Sequence, residues 1–225
     1  MALPLPGPST VHLFASRLPM LPVGGEENVR PPGRPHALRS ETVLRTLLAG
    51  YIGVRPEEVP LQRNPWGKPL LPNSSGLWFN LSHSDDRWIA AVASFPVGID
   101  LEARLPRKDP LRLARRFLLP AEAWAVASSP PEEQTTAFLR MWTKKEAFLK
   151  GCGMGLYRSP RSFRFAQRQG SCWETVDPPE ADGTPWTVKS WLREDGSFCA
   201  LAVAHPQPET LVLSTEKLSP YFPYA

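Results

Sequence analysis

The spacing of apolar residues predicts two long helices in this chain. Between His36 and Gly53, apolar residues recur at the 3.6-residue period of an amphipathic helix, and glycine ends the pattern. A second helix is predicted from Gln134 to Gly151 on the same ground. Each segment carries one apolar stripe, which is typical of a helix that packs on a sheet. The basic segment between the two is also predicted to be helical, with an interruption at Pro120.

Alternating polarity predicts two hairpins. In the first, a strand around "LWFNLS" turns at "HSDD" into "RWIAAVASFP". In the second, "WTVKSWLREDGSFCALAVAHP" turns at Asp195 and Gly196. Since helix, hairpin and closing proline occur twice, we predict an α+β protein of two similar lobes, residues 1–103 and 104–225, each a small antiparallel sheet packed on a long helix.

Composition narrows the class of protein. The 225 residues are 42% hydrophobic, with a net charge of +4 and a pI near 9.1, which favours an acidic partner. Nucleic acid is not favoured, because the basic residues do not form blocks with interleaved aromatics. No apolar run approaches the roughly 20 residues of a membrane span, and the three cysteines show no metal-binding spacing. We therefore expect a cytoplasmic protein with reduced cysteines.

Three carboxylates suggest a metal site. In the extended run "VGIDLE", Asp100 and Glu102 point from one face of a strand, and Glu146 falls on the apolar stripe of the second predicted helix. Such a group needs a cation if it is buried, and oxygen ligands suit Mg²⁺ or Mn²⁺. Each acid has a simpler explanation: strand ends carry solvated acids, and Glu146 would also be explained by an ion pair with Lys145 or Arg140.

A second set of candidates is cationic. Lys145 and Lys150 flank Glu146, while Lys68 in "WGKP" and His83 in "FNLSHS" lie on predicted turns. Turns of this kind can offer both charge and backbone N–H groups to a phosphate. Taken singly, Lys68 is better explained as a turn residue in water and His83 as a side chain at the tip of a hairpin.

Taken together, three segments resemble one family. "FNLSHS", "VGIDLE" and "WTKKEAFLKGCGMGL", in this order, are similar to the 4′-phosphopantetheinyl transferases, specifically the long, monomeric, two-lobed subclass that activates peptide and polyketide synthases. The resemblance runs from about Arg39 to Leu156, and the hairpin to Ala204 is compatible with it. It implies the pseudo-two-fold fold of that family, with the active site between the lobes.

The resemblance also implies a reaction. The family moves 4′-phosphopantetheine from coenzyme A to a serine of an acyl or peptidyl carrier protein and releases adenosine 3′,5′-bisphosphate. Mg²⁺ is then expected on Asp100, Glu102 and Glu146, where it would neutralise pyrophosphate charge, with water rather than Leu101 completing the coordination. Glu146, directly or through a metal-bound water, is the expected base for the serine, and Lys150 is expected to stabilise or protonate the leaving phosphate.

Further residues are assigned to coenzyme A by the resemblance. Ser82 and His83 are expected at the 3′-phosphate, and the Gly67-Lys68-Pro69 turn near the adenine. Lys145 is expected to have a structural or electrostatic role rather than to transfer a proton. Basic residues upstream replace the lysines that the family carries there, and the candidates are Arg30, Arg34 and His36. The residues implied in binding coenzyme A are Arg39, Gly67, Lys68, Pro69, Ser82, His83, Lys145 and Lys150.

The protein substrate is expected on the basic segment Arg104–Leu119, with Leu113, Phe117 and Leu118 as candidate contacts. Two other functions fit the same residues. One is a Mg²⁺-dependent nucleotide phosphodiesterase, which uses water in place of the carrier serine. The other is a non-catalytic module that binds acidic proteins.

Overall fold

The computed structural model describes residues 3–17, 35–103 and 109–212, without the side chains of residues 35–39, 73, 211 and 212. Its helices are α1 (Pro35–Ile52), α2 (Pro110–Phe117), α3 (Pro120–Ala127) and α4 (Gln134–Cys152). Its strands are β1 (Thr10–Arg17), β2 (Gln62–Arg63), β3 (Pro69–Leu70), β4 (Trp78–Ser84), β5 (Arg87–Ala93), β6 (Val97–Glu102), β7 (Arg164–Gln167), β8 (Glu174–Asp177), β9 (Thr187–Leu192), β10 (Phe198–Val203) and β11 (Glu209–Val212).

Two larger sheets organise these elements. Sheet A has the order β11-β1-β5-β4, with β1 and β11 parallel and the other neighbours antiparallel. Sheet B has the order β6-β10-β9-β8-β7 and is antiparallel. In sheet B, β6 is an edge strand, so one side of its backbone must find partners outside the sheet.

The two sheets pack face to face between α1 and α4. On β5, Ala90 and Val92 join the α1 core, whereas the alternate residues Ile89 and Ala91 join the core between the sheets. On β10, Ala200 and Ala202 face α4 while Leu201 faces sheet A. Both strands are therefore buried on both faces, which explains their nearly continuous apolar sequences.

Local sequence accounts for several helix ends. Pro110 and Pro120 begin α2 and α3, because the fixed φ of proline suits the first position of a helix. Asp109 caps α2 by accepting a hydrogen bond from the Leu111 N–H at 2.9 Å. Gly153 ends α4 in the left-handed conformation, with φ of 80°.

The predicted α+β class is confirmed, as are the two long helices and both hairpins. The three cysteines are unpaired. Among the described helices, none is long and apolar enough to cross a membrane.

The expected boundary at residue 103 does not separate the two sheets. β6 precedes that boundary but pairs with β10 in sheet B. β11 follows it but pairs with β1 in sheet A. The chain crosses from one sheet to the other twice, because edge strands pair with whichever sheet offers free backbone groups, a choice that hydrophobic periodicity does not record.

Candidate active site

A close approach of β6 and α4 sets the positions of the predicted acids. A Cβ atom on Gly98 would lie 2.0 Å from the Ala147 carbonyl oxygen and 2.3 Å from the Gly151 nitrogen, so only glycine permits this contact. A Cβ on Gly151 would in turn lie 2.6 Å from the Trp186 ring. The contact brings Lys150 of α4 to Asp100 of β6 and places Glu146 within range of the charge of Asp100.

Polar side chains of β4 satisfy the free edge of β6. Asn80, Ser82 and Ser84 lie on one face of β4, and their oxygens accept hydrogen bonds from β6 and the residue after it. The N–H donors are Ile99 to Asn80 at 2.8 Å, Leu101 to Ser82 at 3.2 Å and Ala103 to Ser84 at 3.0 Å. The alternation in "FNLSHS" thus fixes the position of the strand that carries Asp100 and Glu102 relative to sheet A.

Ser82 connects these hydrogen bonds between β4 and β6 to the charged residues. Its hydroxyl donates to Asp100 Oδ1 at 3.0 Å and accepts from Lys150 Nζ at 2.9 Å. Lys150 Nζ also forms an ion pair with Asp100 Oδ1. Asp100 is 3% exposed, and within the described residues its Oδ2 has no hydrogen-bond partner. One oxygen of Asp100 is therefore held while the other is left available for a ligand.

The charges in this cluster perturb one another. Burial and then the charge of Asp100 raise the pKa of Glu102 to about 7, although Lys150 and a hydrogen bond from Trp142 oppose the shift. Burial, followed by Asp100, also raises the pKa of Glu146, which Lys150 opposes. Burial lowers the pKa of Lys150, but the facing carboxylates outweigh it and the net direction is upward. The three acids form one coupled group with Lys150 as its counter-ion.

The ligand atoms that the three acids offer suit a hard cation. They are all carboxylate oxygens, and the unpartnered Asp100 Oδ2 is a buried acceptor that a cation would satisfy. As the side chains stand, no three His, Cys, Asp or Glu residues in the described part of the chain are close enough to hold one ion together. The predicted Mg²⁺ site on Asp100, Glu102 and Glu146 therefore stays a prediction, supported by donor chemistry.

The side chain of Lys145, which the resemblance assigns to coenzyme A, is engaged within the protein. Its side chain is 0% exposed, and Nζ pairs with Glu122 at 2.9 Å and donates to the Phe163 carbonyl oxygen at 2.6 Å. It ties α4 to α3 and to the segment before β7, which is the structural role also expected for it. The ion pair with Glu122 also removes Lys145 as the explanation for Glu146 on the apolar stripe.

The other residues assigned to coenzyme A remain predictions. Lys68 lies between β2 and β3, with Nζ donating to the carbonyl oxygens of Gly151 at 2.8 Å and Val97 at 3.2 Å. His83 is exposed on β4. The Ser82 hydroxyl is engaged by Asp100, Lys150 and Leu101, so its contacts place it at the carboxylates. The side chains of Arg39, Arg30, Arg34 and His36 lie outside the described residues.

The expected carrier segment is described from Asp109 onwards. Leu118 is 1% exposed and packs in the core between α2, α3 and α4, so it is not a surface contact. Leu113 and Phe117 are half-buried, whereas Arg112, Arg115 and Arg116 are exposed. Residues 104–108 lie outside the described part.

Two residues of this region were missed by sequence analysis as functional candidates. Trp142 falls within the apolar periodicity of the second predicted helix, but its indole hydrogen-bonds Glu102 and its ring lies 5.0 Å from that of Phe117. A partly buried Trp needs an acceptor for its N–H, and that requirement was the available signal. Trp124 on α3 is 72% exposed, which its place in an apolar run concealed.

Comparisons with known proteins agree with this geometry. The model of the 4′-phosphopantetheinyl transferase superfamily matches residues 96–203, which include β6, α4 and β10. The 4′-phosphopantetheinyl transferase HetI of Nostoc sp. is 36% identical over 72% of this chain and 68% of its own length. AcpT of Salmonella typhimurium, also named a 4′-phosphopantetheinyl transferase, is 34% identical over 76% of this chain and 78% of its own.

Two further similarities have lower sequence identity. The 4′-phosphopantetheinyl transferase Sfp of Bacillus subtilis is 29% identical over 78% of this chain and 77% of its own. The solved holo-[acyl-carrier-protein] synthase AcpS of Thermotoga maritima aligns with 48% of this chain and 62% of its own, at 23% identity and a TM-score of 0.37.

Proposed function

This chain belongs to the 4′-phosphopantetheinyl transferase superfamily and is a transferase of that class, and from this premise we propose its reaction. It moves 4′-phosphopantetheine from coenzyme A to a serine of an acyl or peptidyl carrier protein and releases adenosine 3′,5′-bisphosphate. The observation that carries the proposal is the coupled group of Asp100, Glu102, Glu146 and Lys150 at the contact of β6 with α4.

The proposed metal is Mg²⁺, with Mn²⁺ as an alternative, held by Asp100, Glu102 and Glu146. When bound, it would neutralise negative charge on the pyrophosphate and so ease attack at phosphorus. The orphaned Oδ2 of Asp100 and the mutual repulsion of the three acids support this assignment.

Glu146 acts as the general base in this proposal. It accepts the proton of the carrier serine as the serine oxygen forms a bond to the pantetheine-side phosphorus of the pyrophosphate. A raised pKa suits a carboxylate for this step, because a more basic carboxylate takes the proton more readily.

Lys150 serves the leaving group. As the phosphorus–oxygen bond of the pyrophosphate breaks, negative charge grows on the departing adenosine 3′,5′-bisphosphate, and the Lys150 ammonium stabilises it by hydrogen bonding or proton transfer. The neighbouring carboxylates keep Lys150 charged by raising its pKa. Ser82 positions both Lys150 and Asp100 through its hydroxyl.

The proposed partner surface is the basic face of α2. Its exposed Arg112, Arg115 and Arg116 suit an acidic carrier helix, because complementary charge accelerates association. Phe117 of α2 contacts Trp142, which hydrogen-bonds Glu102, so this surface borders the carboxylates.

The intact mass of an apo carrier protein tests the proposal directly. After incubation with this protein, coenzyme A and Mg²⁺, we expect a gain of one phosphopantetheine that is absent with EDTA and absent from a carrier whose acceptor serine is alanine. Breakdown of coenzyme A with no carrier modified would instead support the phosphodiesterase. Carrier binding with neither product would support the non-catalytic module.

A further inference from the structure

The turn between β2 and β3 reaches across to the end of α4. Asn64 organises this turn, because its Oδ1 accepts hydrogen bonds from the N–H groups of Trp66 at 3.0 Å and Lys68 at 2.8 Å. The other side of the same amide is directed outwards, with Nδ2 donating to the Gly153 carbonyl oxygen at 2.8 Å. One side chain therefore shapes the turn and attaches it to the helix end.

Lys68 makes the second attachment. Its ammonium donates to the carbonyl oxygens of Gly151 in α4 and Val97 in β6. These residues neighbour the contact of Gly98 with Gly151, where strand and helix meet most closely. A single cation thus bridges the two elements that carry the acids and Lys150.

The chemistry of a helix end explains why the turn binds there. The last carbonyl groups of a helix have no partner within it, and they lie at the negative end of its dipole. The Lys68 ammonium supplies both a donor and a positive charge. Burial lowers the pKa of Lys68 to about 8, and the neutral amine that forms above this pH remains a donor.

We propose that Asn64 and Lys68 are positioning residues that hold the C-terminal end of α4 against β6. Lys150 directly precedes Gly151, so the attachment keeps Lys150 and Glu146 in place at Asp100. The inference rests on the proposed function, and it gives Lys68 a role different from the contact with adenine that the resemblance implies.

Two variants and a matched control test the proposal. Lys68→Met keeps the length of the side chain but cannot donate to either carbonyl. Asn64→Asp keeps the oxygen that shapes the turn but replaces the donor to Gly153 by a carboxylate oxygen. Lys144→Met is the control, because Lys144 is a buried lysine on the same helix whose Nζ pairs with Glu174 at 2.8 Å, away from the turn.

Steady-state kinetics separate the two roles of Lys68. A positioning role predicts that kcat falls roughly 10- to 100-fold in both variants, with KM for coenzyme A nearly unchanged, since small misplacements of catalytic groups have effects of this order. Lys144→Met should retain kcat. A rise in KM with kcat preserved in Lys68→Met, or an unchanged kcat in Asn64→Asp, would overturn the proposal.

Hydrogen exchange provides a readout that does not depend on turnover. Amides at the end of α4, including the Gly153 N–H that bonds the Lys150 carbonyl oxygen, should exchange faster in both variants than in Lys144→Met. If Lys68→Met fails to fold, Asn64→Asp decides alone. An inactive wild-type protein would contradict the proposed function, whereas unchanged exchange at the end of α4 would overturn this inference specifically.

Discussion

Helices α1 and α4 are built alike but serve different purposes. Each lies along one sheet, and each buries a stripe of large apolar residues against it. The face of α1 that meets sheet A consists of residues such as Leu44, Leu47 and Leu48. On α4, Lys144 and Lys145 are buried as well, Lys150 pairs with Asp100, and Glu146 is close enough for the charge of Asp100 to raise its pKa.

The difference shows how a contact between a helix and a sheet can hold charged side chains as well as apolar ones. α4 approaches β6 closely because glycines meet at Gly98 and Gly151, whereas α1 packs on bulky residues such as Phe14 and Phe79. At the closer contact, charged side chains are held between two elements with partners on both. The candidate site therefore depends on a few contacts that can each be changed.

The largest effect is expected from Glu146→Gln. If Glu146 is the base, turnover should fall by about 10²- to 10⁴-fold while the protein stays folded. Rates from the carrier mass assay measure this. Glu41→Gln, which changes an acid on α1, is the matched control and should leave turnover near the wild-type value. A Glu146→Gln protein with full activity would remove Glu146 from the mechanism.

Gly98→Ala is expected to have the next largest effect, because it disturbs the contact between β6 and α4. The new methyl group would meet backbone atoms of α4 that cannot move aside locally, and we expect a loss of about 1–3 kcal/mol in the free energy of unfolding together with lower activity. Urea denaturation measures the free energy of unfolding. Gly7→Ala is the control, because a Cβ there would meet only the Thr10 side chain, at 3.2 Å. Equal stability of both variants would show that the contact is not tight in solution.

Ser82→Ala should weaken metal binding. Removing the hydroxyl leaves the Leu101 N–H without its acceptor and releases Asp100 and Lys150 from a shared partner. Loss of such an outer contact typically reduces metal affinity roughly 10- to 100-fold. Titration with Mn²⁺ followed by electron paramagnetic resonance checks this. Ser84→Ala, which removes the neighbouring β4 hydroxyl that accepts from the Ala103 N–H, should change the metal affinity less.

A further prediction is the pH dependence of stability from Glu102. Its pKa in the folded protein is about 7, above the ordinary value of 4.5, so the folded state holds more protons between these values. The stabilising contribution is complete below pH 4.5 and is lost as the pH rises through 7. Denaturation of the metal-free protein across this range should show the loss, and Glu102→Gln should not. Added Mg²⁺ should offset it, because the metal binds the charged form.

Many residues of the candidate site could be predicted from the sequence, but several of their side-chain contacts could not. The motif "VGIDLE" identified Asp100 and Glu102, since a strand repeats every two residues whatever it pairs with. Ser82 was expected at a phosphate because its segment resembled one that binds coenzyme A. Its contacts with Asp100 and Lys150 depend on sheet A lying over β6, which no local pattern records.

The sequence by itself determined the two long helices, the two hairpins, the candidate acids and the resemblance, because these depend on residue types and on short-range periodicity. Tertiary structure decided which charges meet. Lys145 and Lys150 are five residues apart, so their directions around the helix differ by about 140°, and Lys145 enters the core while Lys150 reaches Asp100. The tertiary structure also decided that Lys68 binds the end of α4, because long-range packing, not local sequence, determines which element lies next to a turn.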